Sequence, residues 1–495
     1  MNTPIWTDSN WTFDAINRVY DACNSIAVDE LYLNTYPNSI EIISSEQMLD
    51  AYTSIGMPIY YQHWSFGKHF IQEQKSYQKG RSGLAYELVI NSSPCINYLM
   101  EDNTMTTQAL VIAHAAFGHN HFFKNNYLFK QWTDASSIID YLIFAKEYVS
   151  TQENLHGRNA VESWLDSCHA LMDYGVNRYK RPTKLSMEKE KQRQRERAEY
   201  LQTQVSELYR LLPKTKEKST EKKFPEQPEE NLLYFFEKYS PDLEPWKREI
   251  LRIVRKIAQY FYPQGQTKVM NEGFASLTHY EIMNRLHDKG LTTDGSHLEF
   301  LALHSNVLFQ PSFNSRNYSG INPYALGFAM LRDIQRMCHN PTAEDLAWFP
   351  VIKNTSSREL ILDSVANYRD ESFIRQWLSP KIIREWHLFA VYDDKSDEEK
   401  YTVGSIHNES GYQDIREKLA DQYLRAANIP HLEVINVDKK TRHLTIQYNK
   451  HRDRSLSNVK NMMPHISKLW SGYPVTIRNE AGGLIAFYDN DKFSS

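Results

Sequence analysis

At 495 residues the chain is too long for one ordinary core, and the length suggests roughly two to four domains. Hydrophobic residues make up 41% and charged residues 24%, which excludes wholesale disorder. A formal net charge of -4 argues against a chain built mainly to bind nucleic acid or an anionic membrane.

Residues 1–182 predict mostly helix. Trp11 to Ile26 carries apolar residues at helical spacing, with Asp8 to Asn10 available to cap it. Residues 57–70 form an aromatic-rich segment, and Tyr86 to Asn91 predicts a strand. Thr106 to Asn125 is a long apolar segment, and Ala160 to Tyr174 predicts a second clear helix. Residues 183–230 change character: Met187 to Leu212 predicts an exposed helix of mixed charge, followed by a polar linker.

Residues 231–390 return to helical pattern. Glu249 to Tyr260 is amphipathic, and Asn271 to His287 predicts a helix with Asn271 as its cap and Glu272 in its first turn. Asn322 to Met337 opens on Asn-Pro, a cap followed by proline at the first helical position. The acidic, polar stretch 393–415 marks a boundary, beyond which the apolar period changes from helical to alternating. His431 to Val437 and His443 to Tyr448 alternate around the turn Asp438 to Thr441. Ser457 to Trp470 predicts a helix stopping at Gly472, and Pro474 to Arg478 and Leu484 to Tyr488 flank a hairpin turn. The expected class is α+β. A large, mainly α-helical N-terminal domain spans 1–415, with the charged helix and linker at about 183–230. A small ββαββ C-terminal module spans 416–495.

Several chemistries drop out by absence. The four cysteines, Cys23, Cys95, Cys168 and Cys338, lie far apart and form no CxxC, so a disulfide framework or a cysteine-rich zinc site is not expected. There is no GxGxxG, GxSxG or HExxH; Gly290 to Gly295 has P-loop spacing, but Ser296 stands where the lysine belongs. The opening residues lack a secretory leader's pattern, and no apolar run reaches the length of a membrane span. A cytoplasmic protein is expected.

Three segments carry the chemistry. In Ala109 to Asn126, His114 sits inside an apolar run, where a buried imidazole needs a hydrogen-bond partner, a metal or a catalytic task. His114 and His121 share one face of a straight helix, whereas His119 lies about 140° around it from His114. A break at Gly118 would change that. In Ala160 to Tyr179, Glu162, Asp166 and His169 form one stripe with Asp173, a set suited to acid/base work. In Asn271 to Asp288, Glu272 and His279 again share a face. Three such pairs suggest a shared polar interior between helices, as in metal-holding bundles. Each segment also has a plain structural alternative: histidines satisfied in a core, a wet helix face, and ordinary capping.

A family resemblance runs through these residues. PIYYQHWSFGKHF at 58–70, YELVINSSPCINYLMEDNTM at 86–105 and AHAAFGHNHFFKNNYLF at 113–129 resemble the SpoVR family, the stage V sporulation protein R-like proteins. NEGFASLTHY at 271–280, HSNVLFQP at 304–311 and NPYALGFAMLRDI at 322–334 continue the likeness, which covers essentially the whole chain. It is nearest to members from non-sporulating Gram-negative bacteria. The resemblance implies a link to spore cortex and peptidoglycan formation in spore formers. Elsewhere it implies a stress or stationary-phase pathway, with a PrkA-type serine kinase and a von Willebrand A-like protein as partners. Asn271 to Ala275 also resembles the NEGFA segment of gluzincin aminopeptidases, whose glutamate binds zinc, although the HExxH helix is missing.

The resemblance leaves the molecular activity open, and the first of two readings is a metal-dependent hydrolase acting on a peptide, amide or cell-wall-related substrate. His114, His119, His121, Glu272 and His279 are the candidate ligands for a divalent transition metal, zinc or iron. Glu162, Asp166 and His169 are the candidate acid/base residues. The alternative is a non-catalytic regulatory or scaffold protein that docks its partners. Nucleic-acid binding through Lys180 to Arg197 and Lys439 to Arg454 is disfavoured by the overall charge.

Overall fold

The computed structural model describes residues 3–48, 61, 87–177, 229–312, 315, 318, 320–388, 391–393, 401–403, 409–424, 429–449, 456–489 and 492–494. The charged helix expected at 187–212, the basic stretch 180–197 and the aromatic segment 57–70, apart from Tyr61, lie outside the described residues. The fold is α+β. It divides into two compact units, each made from two stretches of chain: Met1–Leu165 with Gln259–Asn428, and Asp166–Ala258 with Ile429–Ser495. All four cysteines are free. No helix among the described residues is long and apolar enough to cross a membrane.

The first unit is organised around one uninterrupted helical run. Met105–Ile112 is α-helical, Ala113–His119 is π-helical, and Asn120–Asn125 is α-helical again. Every residue from 105 to 123 is buried, as a helix apolar on all faces requires. Thr104 caps the run, its hydroxyl accepting the Thr107 N–H. Phe13–Ser25, Lys268–Asp288 and Asp294–Val307 pack around it. A three-stranded sheet lies alongside in the order Asn38–Ile43, Cys95–Met100, Glu87–Ile90. Its middle strand runs parallel to the first and antiparallel to the last, which sets Glu87 opposite Leu99.

The central helix, Lys268–Asp288, starts earlier than its sequence suggests. Its first N–H groups are met by a distant carboxylate: Val269 N–H donates to Asp370 at 2.9 Å and Met270 N–H at 2.8 Å. Asn271 is therefore inside the helix rather than capping it, and Glu272 lies past the first turn. This corrects the sequence reading, which could look for a cap only among neighbours. Pro323–His339 does begin as expected, with the Asn322 side chain accepting the Tyr324 N–H. It crosses the central helix closely enough that a Cβ on Gly327 would overlap Val269 O and the Gly273 backbone.

In the second unit the expected ββαββ order is present. His431–Val437 and Leu444–Asn449 form a hairpin, and Asp438 Oδ1 accepts the N–H groups of Lys440 and Thr441 in its turn. Leu456–Leu469 carries the chain over to Val475–Asn479, which pairs parallel with Leu444–Asn449. Leu484–Asp489 follows, and Lys492–Ser494 adds a fifth strand at the edge. Trp470, 2% exposed, anchors this core. It stacks on Phe235 of the Leu232–Tyr239 helix at 5.4 Å between centroids, and its Nε1–H donates to Arg442 O at 2.6 Å.

Candidate metal centre

The π-helical segment decides the geometry of the first unit's polar interior. In a straight α-helix His114 and His119 would diverge; hydrogen bonding of the i→i+5 kind turns residues five apart onto one face. Their rings meet edge to face at 4.7 Å between centroids. Gly118 allows this segment to lie directly on the central helix, since a Cβ there would stand 2.6 Å from Ala275 Cα. That close contact points Glu272, one turn before Ala275, at both histidines. Glu87 enters from the short strand.

Four ligand-type atoms, from Glu87, His114, His119 and Glu272, all lie within 4.8 Å of one another. His114 Nε2 is 3.3 Å from Glu87 Oε1 and 3.8 Å from Glu272 Oε2. His119 Nε2 is 3.6 Å from Glu87 Oε1 and 3.5 Å from Glu272 Oε2. The side chains are nearly sealed: His114 is 0% exposed, His119 7%, Glu87 8% and Glu272 17%. His114 Nε2 and Glu272 Oε2 are buried without a hydrogen-bond partner. A charge-assisted hydrogen bond would close to about 2.7–2.9 Å. Separations near 3.5 Å instead suit ligands sharing one ion, because tetrahedral bonds of about 2.0–2.1 Å set neighbouring ligand atoms about 3.3 Å apart.

The imidazoles are oriented from behind. His119 Nδ1 lies 3.0 Å from Asn271 Oδ1, a carbonyl that can only accept, so Nδ1 donates there and Nε2 is the nitrogen turned to the carboxylates. His114 Nδ1 lies 2.8 Å from His279 Nδ1, and His279 Nε2 lies 2.7 Å from His304 Nδ1. Phe123 stacks on the His119 ring. Burial works against a charged His119, but Glu272 and Glu87 outweigh it and hold the imidazole up at about 9. Burial pushes Glu272 up, yet His119 and His114 keep it below the ordinary carboxylate value. The two carboxylates thus draw positive charge into the group, a place that a divalent cation can take. Imidazole and carboxylate together suit zinc, iron or manganese.

The structure gathers His114, His119 and Glu272 from the sequence candidates. His279 stands directly behind His114, hydrogen-bonded to it rather than facing the carboxylates. Burial and the neighbouring histidines push it well below its ordinary value. His121 lies apart: its Nδ1 accepts the Asn34 N–H at 2.8 Å, and burial lowers it to about 4, so it serves as a neutral anchor for the loop before Asn38–Ile43. Glu162, Asp166 and His169 sit half-buried on Arg158–Ala170 and are not among the converging atoms. Sequence reasoning missed Glu87 and His304. A lone acid heading the apolar run ELVI was the available signal for Glu87; His304 had none beyond its place in an apolar helix.

Comparison with known proteins agrees with the sequence resemblance. Residues 10–428 match the family model described as SpoVR like protein, and residues 430–481 match the SpoVR-like C-terminal domain. YcgB of Escherichia coli (strain K12), described as an uncharacterized protein, is 53% identical over 484 residues, covering 96% of this chain and 94% of its own. No solved structure matches.

Proposed function

The chain belongs to the SpoVR-like family, and we propose that it is a metal-dependent hydrolase whose metal is held by Glu87, His114 and His119. One observation carries this reading: buried ligand atoms from three separate elements converge at ion-sharing distances, with His114 Nε2 and Glu272 Oε2 left without hydrogen bonds. Two imidazoles and one carboxylate leave a fourth position open, the pattern of catalytic rather than structural zinc. A divalent metal bound there supplies a Lewis acid and makes an attacking water more acidic.

The chain's own residues supply the rest. Asn271 and His279 fix the two rings, and Glu87, at 8% exposure, adds a sheltered negative ligand. Glu272, at 17%, is the more open carboxylate and is placed to take a proton at Oε2 from the attacking water. This gives Glu272 the base's role in place of Glu162 or Asp166. The substrate class is a peptide, amide or cell-wall-related bond, which a polarised carbonyl and a metal-activated water suit.

The test is chelator-sensitive hydrolysis of a mixed library of peptide and muropeptide amides by metal-loaded protein. Glu272→Gln should keep its metal and lose turnover by about 10²–10⁴-fold, the usual worth of a general base. Metal-loaded wild-type protein with no hydrolysis above the chelated control would overturn the hydrolytic reading.

A further inference from the structure

A second, separate group lies in the other unit. Glu229 and Val434 form an antiparallel bridge: Glu229 N–H donates to Val434 O at 3.2 Å, and Val434 N–H donates to Glu229 O at 2.9 Å. That register sets Glu230 opposite Glu433. His431 lies two residues before Glu433 on the same strand, so the two share a face. The burial pattern agrees, with Leu432 and Val434 buried on one side and His431 and Glu433 half-covered on the other.

His431 Nε2 is 3.7 Å from Glu230 Oε2 and 3.4 Å from Glu433 Oε1, with side chains 15%, 10% and 19% exposed. The two carboxylates face each other across the pair. His431 stands between them, yet its Nε2 is buried and hydrogen-bonded to neither. Both separations exceed the roughly 2.7–2.9 Å of a charge-assisted bond. They fall near the spacing of about 3.3 Å expected between ligands of one tetrahedral zinc. On its other side, His431 Nδ1 meets the Asn449 amide at 3.2 Å, and Asn449 meets Gln447 at 2.7 Å. Turning both amides end for end keeps both hydrogen bonds. It gives the Nδ1–H a carbonyl to donate to and leaves the Nε2 lone pair facing the carboxylates.

We propose that Glu230, His431 and Glu433 form a second divalent-cation site, of zinc type. It fastens the segment entering Leu232–Tyr239 to the first strand of the C-terminal sheet. The site shares no residue with the Glu87–His114–His119–Glu272 group and does not depend on it.

Full-length protein stripped by chelator and titrated with zinc in equilibrium dialysis tests this, with cobalt as a spectroscopic probe of the same site. His119→Ala, which disables the first group, should still bind one equivalent. Adding His431→Gln should abolish that equivalent, with circular dichroism confirming the fold. Glu433→Gln, on a partly exposed side chain, is the second variant and should weaken the same equivalent. No zinc in His119→Ala, or binding unchanged by both further substitutions, overturns the proposal and leaves His431 as a plain ion-pair partner. A single wild-type equivalent that survives His119→Ala and disappears with His431→Gln supports this site while refuting the first.

Discussion

A histidine serves a metal only when its ring is held with the correct nitrogen bare, and here neighbours unmarked as ligands do the holding. If His114 presents the Nε2 lone pair, its one proton sits on Nδ1 and is donated to His279 Nδ1; His279 then donates through Nε2 to His304. All three rings are buried, so no solvent competes for these positions. His279→Ala should weaken metal binding by about 10–100-fold in competition against a chelator. Unchanged affinity would mean that packing alone orients His114. A second buried residue sets acid stability. Burial pushes Asp345 up, but Arg336, at 2.7 and 2.8 Å, and Thr342 hold it at about 2 against an ordinary 3.8. The folded value is the lower one, so the stabilisation is complete above the unfolded value and disappears as pH falls toward 2. Asp345→Asn should cost about 2 kcal/mol at neutral pH, less near pH 2, as read from urea unfolding. An equal loss at both pH values would contradict this.

At the scale of elements, the helices were legible and their irregularities were not. The apolar run after Thr104 announces a buried helix, and Asn322-Pro323 announces a helix start. Nothing in that run announces a π-helical turn, so a regular period separates His114 from His119. Gly118 was the visible mark, and its meaning is close approach to Ala275 rather than a helix end. Asn271 shows the same limit. It has a cap's chemistry, but Asp370 does the capping and frees Asn271 to orient His119. Glu87 escaped notice because the strand that carries it is positioned by pairing with Cys95–Met100, not by its own neighbours. The crossing of Lys268–Asp288 and Pro323–His339 has no room for another methyl group at Gly327. Gly327→Ala should destabilise the first unit by about 1–3 kcal/mol in urea unfolding. A stability equal to wild type would show that the helices can separate without cost.

At the scale of the whole molecule, the ββαββ order was readable because its turns carry their own chemistry, as at Asp438 and Gly482. That this sheet belongs in one unit with residues 166–258 was not readable, since the contacts link remote parts of the chain. Phe235 and Phe236 are fully buried, and Trp470 lies against both. A chain ending at residue 428 should therefore bind a hydrophobic dye and aggregate on mild heating. A soluble, dye-silent truncation would contradict the unit's composition. The metal remains the central claim, and elemental analysis of full-length protein by inductively coupled plasma mass spectrometry tests it most directly. Wild-type protein should carry one more equivalent of zinc, iron or manganese per chain than His114→Ala or His119→Ala, with all three folded. The same metal content in all three proteins, or none in any, would reduce the Glu87–His114–His119–Glu272 group to a buried polar network.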